Sequence, residues 1–323
     1  MSQRSWIILG FVSLVVLSFI AYWDEWKTKL DIIEKQSKNR IDFPNDHQIL
    51  SLTFYHRDEQ SQLNNKRFTK IVSKAKDWEI SVPRKRFADA RMINSLLQNL
   101  RRYQYEKVID NASLHLNEYG INSSTPDLEV VYKEVSGQLV NWQVYLGDDA
   151  PVGYMLYFNL GSPKKVYVGS KHLALMLKKS PFDLREKRML RPWLNNLLVL
   201  KIIKQSGEIM GLTWNGVAEN FKNQSGIDVS SELVGKLKNE LEKVSISEFL
   251  PSDQYSHLNE HFSAYQPWLN VEVRSQTLDK SEFKIYLSGN ELVGFDTGKK
   301  EVFKLPLSSL RNIDKYFDEI KLN

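Results

Sequence analysis

At 323 residues, 42% hydrophobic and 26% charged with only 15 Gly and 10 Pro, the chain can fill one large core or two medium ones, and it lacks the composition of a disordered chain. The net charge of +5 is spread through mixed-sign segments, which excludes a dedicated nucleic-acid footprint gathered on one element. With no cysteine at all, thiolate metal sites, disulfides and cysteine nucleophiles are excluded.

Residues 6 to 23, WIILGFVSLVVLSFIAYW, run eighteen positions without a charge, with Trp6 at one end and Tyr22 and Trp23 at the other. That pattern predicts a short membrane span with interfacial aromatic anchors. A cleaved leader fits less well, because bulky Phe19 and Tyr22 flank Ala21 where a small-residue cleavage site is needed. Arg4 precedes the span, whereas Asp24 and Glu25 follow it and offset Lys27 and Lys29, so the positive-inside rule keeps the N-terminus cytoplasmic. The expectation is a single-pass anchor in a bacterial inner membrane, touching the bilayer through residues 6 to 23, with the bulk of the chain periplasmic or otherwise extracytoplasmic. Residues 24 to 45 read as a stalk, carrying Trp26, Leu30 and Ile33 on a weak helical stripe before Pro44.

Beyond the stalk, ILSLTFY (49 to 55) and KDWEISV (76 to 82) read as strands, and RFADARMINSLLQNLRRY places Ile93, Leu96, Leu97 and Leu100 on one helical face. DLEVVYK, NWQVYLG, YMLYFNL and KVYVG follow as strands, then KHLALMLKK as a shorter helix. The order repeats. NLLVLKIIK and EIMGLTW are strands, SSELVGKLKNELEKV is a helix, and WLNVEVR, EFKIYLS, ELVGF and EVFKL are strands before a last helix with Leu310, Ile313, Phe317 and Ile320 in register. A shift of 141 carries Pro126 onto Pro267, Leu128 onto Leu269, Val130 onto Val271, Trp142 onto Phe283, Val144 onto Ile285 and Tyr145 onto Tyr286 without a gap. The expected architecture is α+β: the membrane helix, then two similar tandem domains at 46–190 and 191–323. Each is a mostly antiparallel sheet with one long and one shorter helix.

Chemistry is sparse. HLNEH at 257 to 261 has the HxxEH spacing of a zinc-peptidase helix, which makes His257, Glu260 and His261 candidate zinc ligands. At a shift of 142, however, it lies on HLNEY (115 to 119), and Tyr119 replaces the second histidine. Pro251 and Pro267 bracket the segment and no long apolar stripe runs through it, so a helix is not expected and H-L-N-E reads as a shared structural element. No GxGxxG, GxxxxGK or GxSxG occurs; His47, His56 and His172 stand alone. Asp148 and Asp149 are an acidic pair that could chelate a hard cation with help from other loops but reads more readily as a strand-connecting turn, and Trp78, Trp142, Trp193, Trp214 and Trp268 read as core or half-core residues. The basic run Arg185, Lys187, Arg188 and Arg191 reads as a solvated connector.

Several stretches carry a resemblance. W-x-I-x-x-P from Trp78 to Pro83, Y-G-I at 119 to 121, L-G-D-x-x-P-x-G-Y from Leu146 to Tyr154 and Arg185-Glu186-Lys187 together resemble the DUF4340 family over about residues 76 to 191, and more weakly over the second copy. The resemblance implies a membrane-anchored protein with a duplicated α+β region outside the cytoplasm, in the company of ABC-type export or gliding-motility systems. It brings no catalytic residues. The chain is therefore expected to be no enzyme and to need no cofactor. It should instead be an accessory or scaffold protein working by contact with membrane proteins, among them ABC-type transporter components. The alternative is a lipid- or glycan-binding module using an open sheet face or the loop containing Gly147, Asp148, Pro151, Gly153 and Tyr154. The repeat loses that loop pattern, with Ser288 in place of the glycine. A zinc hydrolase built on His257, Glu260 and His261 comes third.

Overall fold

A computed structural model describes residues 19, 22–23, 26–27, 39–44, 49–56, 68–74, 77–110, 115–122, 124–251, 253–278, 280–310 and 312–322. The chain divides into two compact units, Met1–Arg185 and Glu186–Asn323. Apart from Phe19, Tyr22 and Trp23, the apolar segment 6–23 lies outside the described residues, Trp6 included. No helix among the described residues is long and apolar enough to cross a membrane.

Unit 1 contains β1 (Ile49–Tyr55), β2 (Phe68–Lys74), β3 (Asp77–Val82), β4 (Arg86–Phe87), α1 (Ala90–Arg102), β5 (Tyr105–Asp110), β6 (Leu128–Lys133), β7 (Leu139–Asp149), β8 (Met155–Asn159), β9 (Lys165–Ser170), α2 (His172–Leu177) and α3 (Pro181–Leu184). The strands form one antiparallel sheet in the order β4-β3-β2-β1-β6-β7-β8-β9-β5. Unit 2 runs through α4 (Arg191–Leu194), β10 (Leu197–Lys204), β11 (Ile209–Asn215), β12 (Asn220–Lys222), β13 (Asp228–Val229), α5 (Ser231–Glu242), β14 (Glu248–Phe249), α6 (Gln254–Ser263), β15 (Leu269–Ser275), β16 (Ser281–Ser288), β17 (Glu291–Asp296), β18 (Glu301–Pro306) and α7 (Asp314–Leu322). Its sheet order, β13-β12-β11-β10-β15-β16-β17-β18-β14, is that of unit 1 strand for strand.

The duplication extends to register. Leu128 pairs with Val144 and Val130 with Trp142. The residues 141 positions on do the same: Leu269 pairs with Ile285 and Val271 with Phe283. Two nine-stranded antiparallel sheets with a few helices make the protein mixed α+β, and each sheet is larger than the sequence pattern alone indicates.

Each sheet uses both faces, because adjacent side chains of a strand point to opposite sides. In unit 1, Val144 and Leu146 of β7 face a core with Leu52, Phe54, Ile71, Val130 and Phe158, onto which α1 lays Ile93, Leu96, Leu97 and Leu100. Fully burying one such side chain contributes about 1.5–3 kcal/mol. Asp89 starts α1 by accepting from the N–H groups of Arg91 and Met92, and Arg101 and Arg102 complement the dipole in its last turn. Tyr145, between Val144 and Leu146, faces the other way into a smaller cluster with Ile121 and Val166. Unit 2 repeats this arrangement: α5 buries Leu233, Val234, Leu237 and Leu241 on one side, while Tyr286, Val293, Phe295 and Val302 form the reverse cluster.

Two segments fold differently from the reading of the sequence. The end of the expected stalk belongs to unit 1: Ile41 and Phe43 are buried in its core, and the Trp142 indole donates to the Asp42 carbonyl at 2.7 Å. The basic run is no solvated connector either. Glu186, 7% exposed, accepts from Arg188 Nε at 2.8 Å and from Arg191 Nη1 at 2.7 Å, so the arginines turn inward onto a buried carboxylate. A charge removed from water needs such partners.

Candidate functional site

HLNEH, contrary to expectation, is helical and lies within α6. The stripe is short: Tyr255, Leu258 and Phe262 seat the helix against the reverse cluster of unit 2, and both prolines fall outside its ends. In unit 1 the matching residues form a single 3-10 turn, Leu116–Tyr119, with Leu116 and Tyr119 seated against the reverse cluster there. Leu116 and Leu258 explain the repeated H-L-N-E, since the leucine is the residue that docks. His115, His257, Glu260 and His261 are all exposed. Among the described residues no group of three or more His, Cys, Asp or Glu comes together in a way that could hold a metal ion.

The 3-10 turn fixes the loop that follows β7. Gly120 closes it at φ 69°, and a Cβ there would collide with the Asp148 carboxyl. Gly147 lies so close to the Tyr119 carbonyl that it has no room for a side chain. Y-G-I and L-G-D, far apart in sequence, are thus two halves of one packing contact. The register of β7 on β8 slips between Leu146 and Asp149, the mark of a bulge that re-aims the strand.

Beside that bulge unit 1 has a cleft of about 560 Å³. Its floor is made where β1 ends, β6 begins and β7 bends: Tyr55, Asp127, Leu146 and Gly147. Tyr55 N–H donates to the Asp127 carbonyl at 3.0 Å, and the Asp127 carboxylate accepts from Leu146 N–H at 2.7 Å. Burial, and then the Glu129 charge, push the Tyr55 phenol above its ordinary value, so it stays a neutral donor. The walls come from the loop after the bulge and from α2. Lys171 pairs with Asp149 at 2.6 Å and lies over the Tyr154 ring at 5.4 Å. Tyr154 and Leu175 line the cleft while remaining exposed, and Lys178 and Lys179 stand beside them.

Of the loop residues singled out in the sequence, the structure brings Gly147 and Tyr154 to this cleft. Asp148 packs instead against Gly120, while Pro151 and Gly153 are exposed in the turn, Gly153 at φ 71°. Asp149, read with Asp148 as a strand-connecting turn, instead closes β7, and Lys171 and Leu175 carry no signal in the sequence, because only the fold brings β7 and α2 to the same place. The anchor residues Tyr22 and Trp23 are helical and exposed, and Trp23 sits in a ring series with Phe19 at 6.1 Å and Trp26 at 5.9 Å.

Unit 2 has a cleft at the corresponding position, about 310 Å³ in volume. Gln205 N–H donates to the Trp268 carbonyl at 3.0 Å as Tyr55 does to Asp127, and Leu287 and Ser288 stand where Leu146 and Gly147 stand. Here the wall is the C-terminal end of α6, with His261, Phe262 and Tyr265. His261 of the supposed zinc motif is a wall residue, its ring 5.2 Å from Phe262 and 5.8 Å from Tyr265. Duplicated clefts with different linings were invisible in the sequence, although the 141-residue shift already pairs their floors.

No curated protein and no solved structure matches the chain. A family model described as "Domain of unknown function (DUF4340)" matches residues 78–260, more than half of the 323 residues and including the Y-G-I and L-G-D halves of the packing contact, and the chain belongs to that family.

Proposed function

We propose that this is a membrane-anchored, extracytoplasmic accessory protein that holds a membrane-protein partner by direct contact, with the unit 1 cleft as its contact surface. The observation that carries the reading is the pairing of an exposed apolar rim with two lysines, Lys178 and Lys179, that make no ion pair among the described residues, in a cleft whose three Lys and three Asp otherwise balance. Tyr154 and Leu175 are 63% and 55% exposed, and Val152 in the same loop is 79% exposed. The three carboxylates of the cleft are already engaged: Asp127 by Leu146 N–H, Asp149 by Lys171, and Asp183 by the Ser180 N–H and hydroxyl. Neither Lys178 nor Lys179 has an ion-pair partner among the described residues. Aromatic and aliphatic anchors with two unpaired ammonium groups beside them suit a protein surface that offers apolar residues and a few carboxylates, the apolar residues supplying affinity and the lysines orienting the encounter. The anchoring rests on the apolar run of residues 6–23 and its flanking charges. The family resemblance points to ABC-type transport or envelope and motility assemblies as the partner class.

The test is purification of the full chain from membranes in mild detergent, beside a Tyr154→Asp/Leu175→Asp double variant and a version lacking residues 1–23. The expected result is a stoichiometric membrane protein retained by the parent chain and lost from both altered forms. Recovery of the parent chain alone, or identical partners with the double variant, would count against the proposal.

A further inference from the structure

We infer that the cleft of unit 2 is a binding site for a neutral glycan, a role independent of the contact proposed for unit 1. Its lining holds no Asp, Glu, Lys or Arg. Position alone does not account for this, since the corresponding cleft of unit 1 is lined by Asp127, Asp149, Lys171 and Lys178. In a chain that is 26% charged, an exposed concavity without a formal charge calls for a ligand without one.

The apolar part of the lining is aromatic. Phe262 lies 5.0 Å from Tyr286, ring centre to ring centre, and His261 joins Phe262 to Tyr265, giving a continuous series of rings that ends at an exposed tyrosine. Trp268 adds a fourth aromatic residue to the lining. Tyr286 and Phe262 are the packed base of the series and His261 and Tyr265 its exposed end, where rings of fixed position lose little side-chain entropy when covered.

The polar part discriminates between occupants. Gln205, Gln266, Ser288 and His261 each carry a donor and an acceptor in one side chain. Gln266 uses one amide N–H on the Gln205 carbonyl at 3.2 Å, leaving its oxygen and second N–H uncommitted among the described residues. A glycan matches this, since each of its hydroxyls is likewise both donor and acceptor and its C–H faces lie flat on rings. A proline-rich peptide also favours aromatic grooves, but proline has no N–H, so such a ligand offers mainly carbonyl acceptors and would leave the acceptors of this cleft unmatched. The volume, about 310 Å³, lies at the small end for ligand pockets and fits one or two sugar rings with the rest of a chain extending into solvent.

The test is a titration of the full chain, held in a non-glycosidic detergent, with maltohexaose, cellohexaose and chitohexaose, read by tryptophan fluorescence and calorimetry. A polyproline peptide is run in parallel. The expected result is saturable binding of at least one oligosaccharide, weakened at least tenfold by Tyr265→Ala and by Gln266→Ala and unchanged by Tyr154→Ala. Both altered positions are exposed, so the variants should keep the parent's circular dichroism and urea midpoint. Absence of saturation by any of the three oligosaccharides up to about 10 mM, binding indifferent to both substitutions, or the same dependence shown only by polyproline would each overturn the inference.

Discussion

Single residues show why the family motifs have their spacing. Gly147 and Gly120 let the Y-G-I turn meet the L-G-D bulge backbone to backbone, so Gly147→Ala must move the Tyr119 carbonyl or the strand. Overpacking of that kind costs about 2 kcal/mol, and the urea midpoint of the variant should fall accordingly, whereas Gly235→Ala, which meets nothing and lies inside α5, should raise stability by up to about 1 kcal/mol. Asp296 supplies a pH dependence. Burial pushes its carboxyl above the ordinary value of 3.8, with Lys299 opposing, and Ser281 and the Lys299 N–H donate to it. As pH rises through the interval between the ordinary and the raised value, the unfolded chain gives up this proton before the folded chain does, so the group's contribution to stability falls. Asp296→Asn keeps the acceptor for the Lys299 N–H but does not ionise. Urea midpoints measured across the acid range should therefore shift in favour of the variant as pH increases; a difference that is flat or reversed would refute the burial effect.

Among the elements, legibility followed burial pattern. Strands rich in apolar and aromatic residues and helices with a four-residue apolar stripe were plain: β1, buried at five of its seven positions, matches ILSLTFY residue for residue, and α1 holds the Ile93, Leu96, Leu97 and Leu100 face. β2 was missed because FTKIVSK mixes two lysines into a half-buried strand, and β4, β13 and β14 are two-residue strands with no period to detect. α6 was missed because one leucine and two aromatics are its whole docking face, and neither proline lies within it. Its stability then rests on tertiary seating more than on its own propensity. Leu258→Ala should speed amide exchange across residues 254–263 while leaving β15 and β16 protected, as expected of a locally opening unit. Uniform loss of protection throughout unit 2 would show that α6 belongs to the main core. The clefts were only partly legible: the loop holding Gly147 and Tyr154 stood out as a motif, but nothing in sequence separation indicates that α2 supplies Lys171 and Leu175 to the same place.

For the whole molecule, the duplicated sheets give two clefts on corresponding floors with unlike walls, one charged with an apolar rim and one aromatic and uncharged. Duplication preserved the register that builds the floor, while the walls, made by α2 in one unit and α6 in the other, were free to differ. Under the two proposals, unit 1 holds a protein partner and unit 2 binds a glycan. The contact claim is tested most directly in cells by a photo-crosslinking amino acid placed at position 154, compared with the same group at Val217, which is 97% exposed in unit 2. The account predicts a discrete adduct with a membrane protein from position 154, absent from position 217. No adduct from 154, or the same adducts from both positions, would contradict it.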